Sequence, residues 1–137
     1  MAILMAVIAV APVPVVRFAH LPNGWRSFGG AGGGYATSWA YRPTSGGWAS
    51  ALPVNGVVVQ VYFFPGDQKK PCYRPRPLIL PAEAATMLEG TGDTPEYRIT
   101  SCIRGRRVQV WVDIRNRHPT HVLRRLAQRV VAAIRFN

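Results

Sequence analysis

The sequence predicts an α+β domain, an antiparallel sheet of about five strands with a C-terminal helix packed on one face. Three observations carry this. Residues 97–116, YRITSCIRGRRVQVWVDIRN, alternate apolar and polar side chains on both sides of a central glycine, the period of a half-buried hairpin. Residues 119–136 carry an apolar stripe at helical spacing. Residues 56–64, GVVVQVYFF, are apolar on both faces except at Gln60, which suits a central strand covered on both sides. A chain of 137 residues without internal repeats or heptads fits one domain, residues 1–137, with a real core.

The first 16 residues, MAILMAVIAVAPVPVV, carry no charge. They read either as a buried N-terminal element or as an export or anchor remnant. A basic start is missing, and Pro12 and Pro14 interrupt the run, so no transmembrane span is predicted. Val15 to Leu21 reads as a strand closed by the Pro22-Asn23-Gly24 turn, with Trp25 following. Ser27 to Gly34, SFGGAGGG, reads as a mobile glycine loop. A phosphate cradle would need a helix behind it, but Tyr35 to Arg42 alternates like a strand. Pro43 to Gly56 is a loop carrying Trp48, and Pro65-Gly66-Asp67 ends the central strand. Gln68 to Pro77 is basic and proline-rich, with Lys69, Lys70, Arg74 and Arg76, and reads as an exposed loop or edge. Leu78 to Leu80 reads as a short strand. Pro81 to Gly90 reads as a short helix, with proline at its start and glycine past its end.

In the hairpin, Gly105-Arg106 suits a two-residue turn with glycine first, type II′. That turn sets Ile103 opposite Val108, Ser101 opposite Val110, Ile99 opposite Val112 and Tyr97 opposite Ile114, all on one face. Thr100 then faces Trp111, and Arg98 faces Asp113, on the other. The closing helix is expected over Pro119 to Phe136. Val122, Leu123, Leu126, Ala127, Val130, Val131 and Ile134 form its apolar stripe, opposite Arg124, Arg125, Gln128 and Arg129. The valine face of the hairpin is its natural partner.

Charge is sparse and lopsided. Only 17% of residues are charged, 17 basic against 6 acidic, for a net +11. Fifteen of the basic residues are arginine. Two readings stand: an anionic partner, or the amino-acid usage of a GC-rich genome. Candidate contact residues are Trp111 with Arg98, Arg104, Arg107 and Arg115 on the polar face of the hairpin, and Lys69, Lys70 and Arg74 in the basic loop. An aromatic among arginines on a sheet stacks a base or holds an anionic ligand. The competing reading covers Trp111 with another element. The RNA-recognition signature fails, because Arg104 to Trp111, RGRRVQVW, lacks both inner aromatics.

Catalytic signals are thin. His20, Ser27, Ser101, Cys102 and Asp113 supply parts for a nucleophilic triad, but no GxSxG elbow is present. The six acids are scattered, and acid–base work wants paired carboxyls. His118 and His121 flank Pro119 without a third ligand nearby. No metal and no cofactor is predicted. Cys72 and Cys102, 30 apart, either pair in an exported protein or stay thiols in a cytosolic one.

Leu21-Pro22-Asn23-Gly24-Trp25, a strand-rich middle, the hairpin and a last helix ending Ala133-Ile134-Arg135-Phe136 together resemble small uncharacterised α+β domains of high-GC bacteria. More distantly the chain resembles the PsbP/Mog1-like sandwich, on Leu21 to Trp25 and Val108 to Phe136, about a third of its length. That resemblance implies a docking or accessory module without a catalytic site. The expected function is thus a non-catalytic interaction module with a basic surface, in a cell-envelope setting, whose partner is a protein or an anion. The alternative is a nucleic-acid-binding protein using the Arg-rich hairpin and helix. An unrecognised enzyme is the third class.

Overall fold

The computed structural model describes residues 12–38, 52–64, 72–88 and 92–137. The architecture is α+β and mostly antiparallel. In chain order the elements are β1 (Val16–Phe18), β2 (Arg26–Gly30), β3 (Gly33–Thr37), β4 (Val57–Phe63), β5 (Thr86–Met87), β6 (Pro95–Ile103), β7 (Arg106–Ile114), α1 (His121–Ala132) and β8 (Ile134–Phe136). The main sheet has six strands in the order β2-β3-β4-β7-β6-β5, and β1 pairs β8 in a second sheet. The expected count of five is therefore too low.

Strand β4 is central, as its two apolar faces require. Val57, Val59, Val61 and Phe63 share one face with Val108, Val110, Val112 and Ile114 of β7 and with Tyr97 and Ile99 of β6. All are buried, in one core with Ala127, Val130 and Val131 of α1. The helix roofs the valine face, as its stripe predicts. Thr120 caps it, its side chain accepting from the Leu123 amide, which satisfies one orphan donor of the first turn.

Several expectations need correction. The β6–β7 turn is Arg104-Gly105, both at positive φ (52° and 78°), a type I′ turn whose twist matches the strands. Register moves by two residues: Ser101 faces Val108, Ile99 faces Val110, Tyr97 faces Val112, Arg98 faces Trp111 and Glu96 faces Asp113. A shift of two preserves the faces, so the valines stay inside. The left-handed Arg104 costs about 1 kcal/mol.

Helix α1 stops at Ala132, and Ile134–Phe136 leaves it to pair with Val16–Phe18. Val122 is 69% exposed, outside the buried stripe. The glycine stretch is a hairpin, not a loop. Gly29 pairs Gly34 and Gly30 pairs Gly33 around Ala31-Gly32. Gly29 and Gly34 admit the close passage of β1, since a Cβ on Gly29 would stand 2.1 Å from the Val16 carbonyl oxygen. Residues 78–80 form no strand and 81–88 no helix; Thr86–Met87 instead adds an edge strand to β6.

Residues 72–81 form a strap over the open edge of β6. Cys72 is bonded to Cys102 with Cα atoms 5.7 Å apart. The Ser101 hydroxyl accepts from the Arg76 amide (2.9 Å) and donates to the Arg76 carbonyl (2.8 Å). Farther on, Gln128 of α1 accepts from the Leu80 amide and donates to the Leu78 carbonyl. Arg124 donates to the Pro81 carbonyl and lies over the Tyr97 ring. The polar side of the helix is thereby engaged with the strap, which is tied to both α1 and β6.

Of the first 16 residues, Val16 is buried, while residues 1–11 lie outside the described part. So do residues 39–51, with Trp48 and the end of the Tyr35 to Arg42 stretch. Among the described residues no helix is long and apolar enough to cross a membrane.

Candidate functional site

The face of the main sheet away from α1 collects the remaining side chains. Strand pairing sets Phe28, Tyr35, Gln60, Trp111 and Arg98 side by side across five strands. The next row reads Gly30, Gly33, Tyr62, Gln109 and Thr100. Because alternate residues of a strand share a face, both rows look the same way.

The rings are held in contact. Phe28 and Tyr35 have centroids 4.8 Å apart. Tyr62 meets Trp111 edge-on at 5.2 Å and Phe64 at 5.3 Å, favoured arrangements for aromatic pairs. The Gln109 side-chain carbonyl accepts from the Trp111 indole (2.6 Å) and from the Tyr62 hydroxyl (3.4 Å). With its indole N–H satisfied, Trp111 is half-buried rather than covered. The Arg98 guanidinium lies 5.1 Å from its ring centroid, a cation–π distance. Phe28 is 53% exposed.

Glycine makes room between these rings. With no side chains at Gly30 and Gly33, a shallow trough of about 460 Å³ opens between the Phe28–Tyr35 pair and Tyr62, floored by the backbone of β2 and β3. Its walls are aromatic and its polar groups few, a composition suited to a planar or ring-bearing ligand.

No family model, curated protein or solved structure matches the chain. Its chemistry therefore has to be read from the geometry alone.

The predicted arginines do not act together. Arg98 alone stacks on Trp111. Arg107 lies farther along the same face, in a hollow beside the Cys72–Cys102 disulfide with Arg74 and Arg76. Arg104 sits at the turn and reaches the Phe136 carbonyl. Arg115 pairs with Asp93 at 3.3 Å and donates to the Leu52 carbonyl, which ties loops together at the far end. Lys69 and Lys70 lie outside the described residues. Sequence reading missed Phe28, Tyr35, Tyr62 and Gln109.

The expected Arg98–Asp113 pair is replaced by a carboxyl pair. Glu96 and Asp113 stand opposite each other, both 3% exposed. Arg98 donates to Glu96 at 3.2 Å. Burial, then the hydrogen bond and charge of Glu96, push the Asp113 carboxyl up to about 8 against the pull of Arg98, so it holds a proton at neutral pH. Burial likewise raises the Tyr62 phenol, with Arg98 opposing and Glu96 adding to the shift. The carboxyl pair has the chemistry of an acid–base dyad, but a substrate cannot touch groups so enclosed. Its Glu96 anchors Arg98 at the end of the ring row. Among the described residues no three His, Cys, Asp or Glu side chains gather into a metal site, and His118 and His121 are exposed.

Proposed function

We propose that this protein is a non-catalytic interaction or accessory module whose contact surface is the open face of the six-stranded sheet. The observation that carries the reading is the ring row with its glycine trough. Phe28, Tyr35, Tyr62 and Trp111 are pre-positioned by strand register and by Gln109, so little ordering entropy opposes binding there. The Cys72–Cys102 bond suits an oxidising compartment, which supports a cell-envelope setting. The PsbP/Mog1-like resemblance points the same way, to docking without chemistry.

The test is ligand capture read by tryptophan fluorescence and by chemical-shift mapping. Trp111→Ala and Phe28→Ala should each weaken binding of the captured ligand by about 1–3 kcal/mol, the worth of one stacked ring, with folding intact. Shift changes confined to α1 or the loops would refute it.

Nucleic acid is the second reading, favoured by the Arg98–Trp111 stack and the arginine surplus. It requires single-strand binding that falls steeply between low and moderate salt. An absence of binding at low salt removes it.

A further inference from the structure

Two rows along the sheet from Trp111 lies a second depression, of about 460 Å³, built between the strap and the hairpin. Arg74 and Arg76 of the strap and Arg107 of β7 line it, together with Thr100, and among the described residues no acidic side chain does. Arg74 and Arg76 bring two like charges to one hollow, and an anion of matching shape relieves their repulsion. Arginine presents a planar fork of donors that fits the oxygens of a phosphate two at a time. The Thr100 hydroxyl, which accepts from the Gln109 side-chain amide at 3.5 Å, adds a neutral donor at the rim. Arg74 and Arg76 are exposed, and among the described residues neither side chain makes an ion pair.

What holds these two arginines in place is explicit. Arg74 precedes Pro75 and Arg76 precedes Pro77, so both are kept out of the helical region. The segment that carries them is fixed at both ends to neighbouring residues of β6. Cys72 is bonded to Cys102, and the Arg76 backbone makes its two hydrogen bonds to Ser101. Opening the disulfide removes the first anchor and leaves Arg74 on a segment secured only from residue 76 onward.

We propose that this hollow is a phosphate-group site that is assembled only while the Cys72–Cys102 disulfide is closed. A dithiol would switch it off: the Sγ–Sγ bond breaks, two electrons and two protons convert the pair to thiols, and the dithiol becomes its own cyclic disulfide. The phosphate belongs to a small soluble molecule or to a lipid headgroup. The hollow lies at the border of the same open face, but its strap arginines are not among the ring row's groups, so its test does not require the rings to bind anything.

The experiment compares the oxidised protein in inorganic phosphate and in chloride at equal ionic strength, following thermal unfolding. A parallel arm measures co-sedimentation with phosphatidylcholine vesicles carrying phosphatidic acid. Phosphate should raise the unfolding midpoint by several degrees beyond chloride, or the vesicles should retain the protein; a response to vesicles alone assigns the headgroup. Arg74→Gln combined with Arg76→Gln, both at exposed positions, should weaken either response by about tenfold or more. Dithiol treatment, with folding checked by tryptophan fluorescence, should do the same, and so should Cys72→Ser with Cys102→Ser. Equal effects of phosphate and chloride with no vesicle retention, or full binding by the double arginine variant, overturn the site. Unchanged phosphate affinity in folded, reduced protein overturns its dependence on the disulfide.

Discussion

The two faces of the six-stranded sheet are built from the same strands and obey opposite rules. On the helix side, β4 and β7 present only valine, isoleucine and phenylalanine, all buried. On the other side, the same strands present Val58, Gln60, Tyr62, Arg107, Gln109, Trp111 and Asp113, of which Val58 and Asp113 are buried. The first face is interchangeable in chemistry and strict in volume. The second is particular at each position: a ring, a gap, an amide that orients two rings, an acid that keeps its proton. Uniformity marks the side that stabilises, and heterogeneity marks the side we propose for recognition.

The largest expected effect separates the faces directly. Val112→Asp places an unpaired carboxylate among fully buried neighbours and should cost on the order of 4 kcal/mol or more, abolishing the cooperative transition in urea. Trp111→Ala, next to it in sequence, should leave a folded chain with defective binding. If both unfold the protein alike, the contrast between faces is wrong.

A smaller effect comes from adjacent glycines. Gly29→Ala drives a methyl toward the Val16 carbonyl oxygen, 2.1 Å from the new Cβ, and should cost about 1–3 kcal/mol. At Gly30 the nearest atom would be 4.0 Å away. Gly30→Ala should therefore change stability by less than about 0.5 kcal/mol while crowding the trough. Denaturation midpoints of the two variants decide the matter.

A further effect is on pH dependence. The folded pKa of Asp113, raised to about 8, lies above its unfolded value. Its protonated form therefore favours the fold, fully below the unfolded pKa, and this contribution is lost as pH rises through about 8. Thermal midpoints should decline by several degrees between mildly acidic and mildly alkaline buffer. Asp113→Asn should flatten that decline. A wild-type profile already flat over this range would show that the carboxyl ionises freely.

Much of the closed face was legible because alternation and helical spacing both report burial. The register was not, since Gly105 fits a turn as its first or its second residue and both choices keep the valines inward. Deciding between them needed the left-handed Arg104. The glycine hairpin was missed because five glycines in eight residues suggest freedom. The signal was present in the mirror order of Phe28, Gly29 and Gly30 against Gly33, Gly34 and Tyr35. Ile134 continued the helical stripe and hid the alternation of Ile134, Arg135 and Phe136. Beyond Trp111 and Arg98, the ring row could not be read, because it joins residues from four strands whose order no local pattern specifies.

The pairing of β1 with β8 joins Val16–Phe18 to Ile134–Phe136. During synthesis, the early strand must wait for more than a hundred further residues to leave the ribosome before it finds its mate. Until then the valine core has one border unsealed, so the nascent protein should depend on chaperone protection until residues 134–136 emerge.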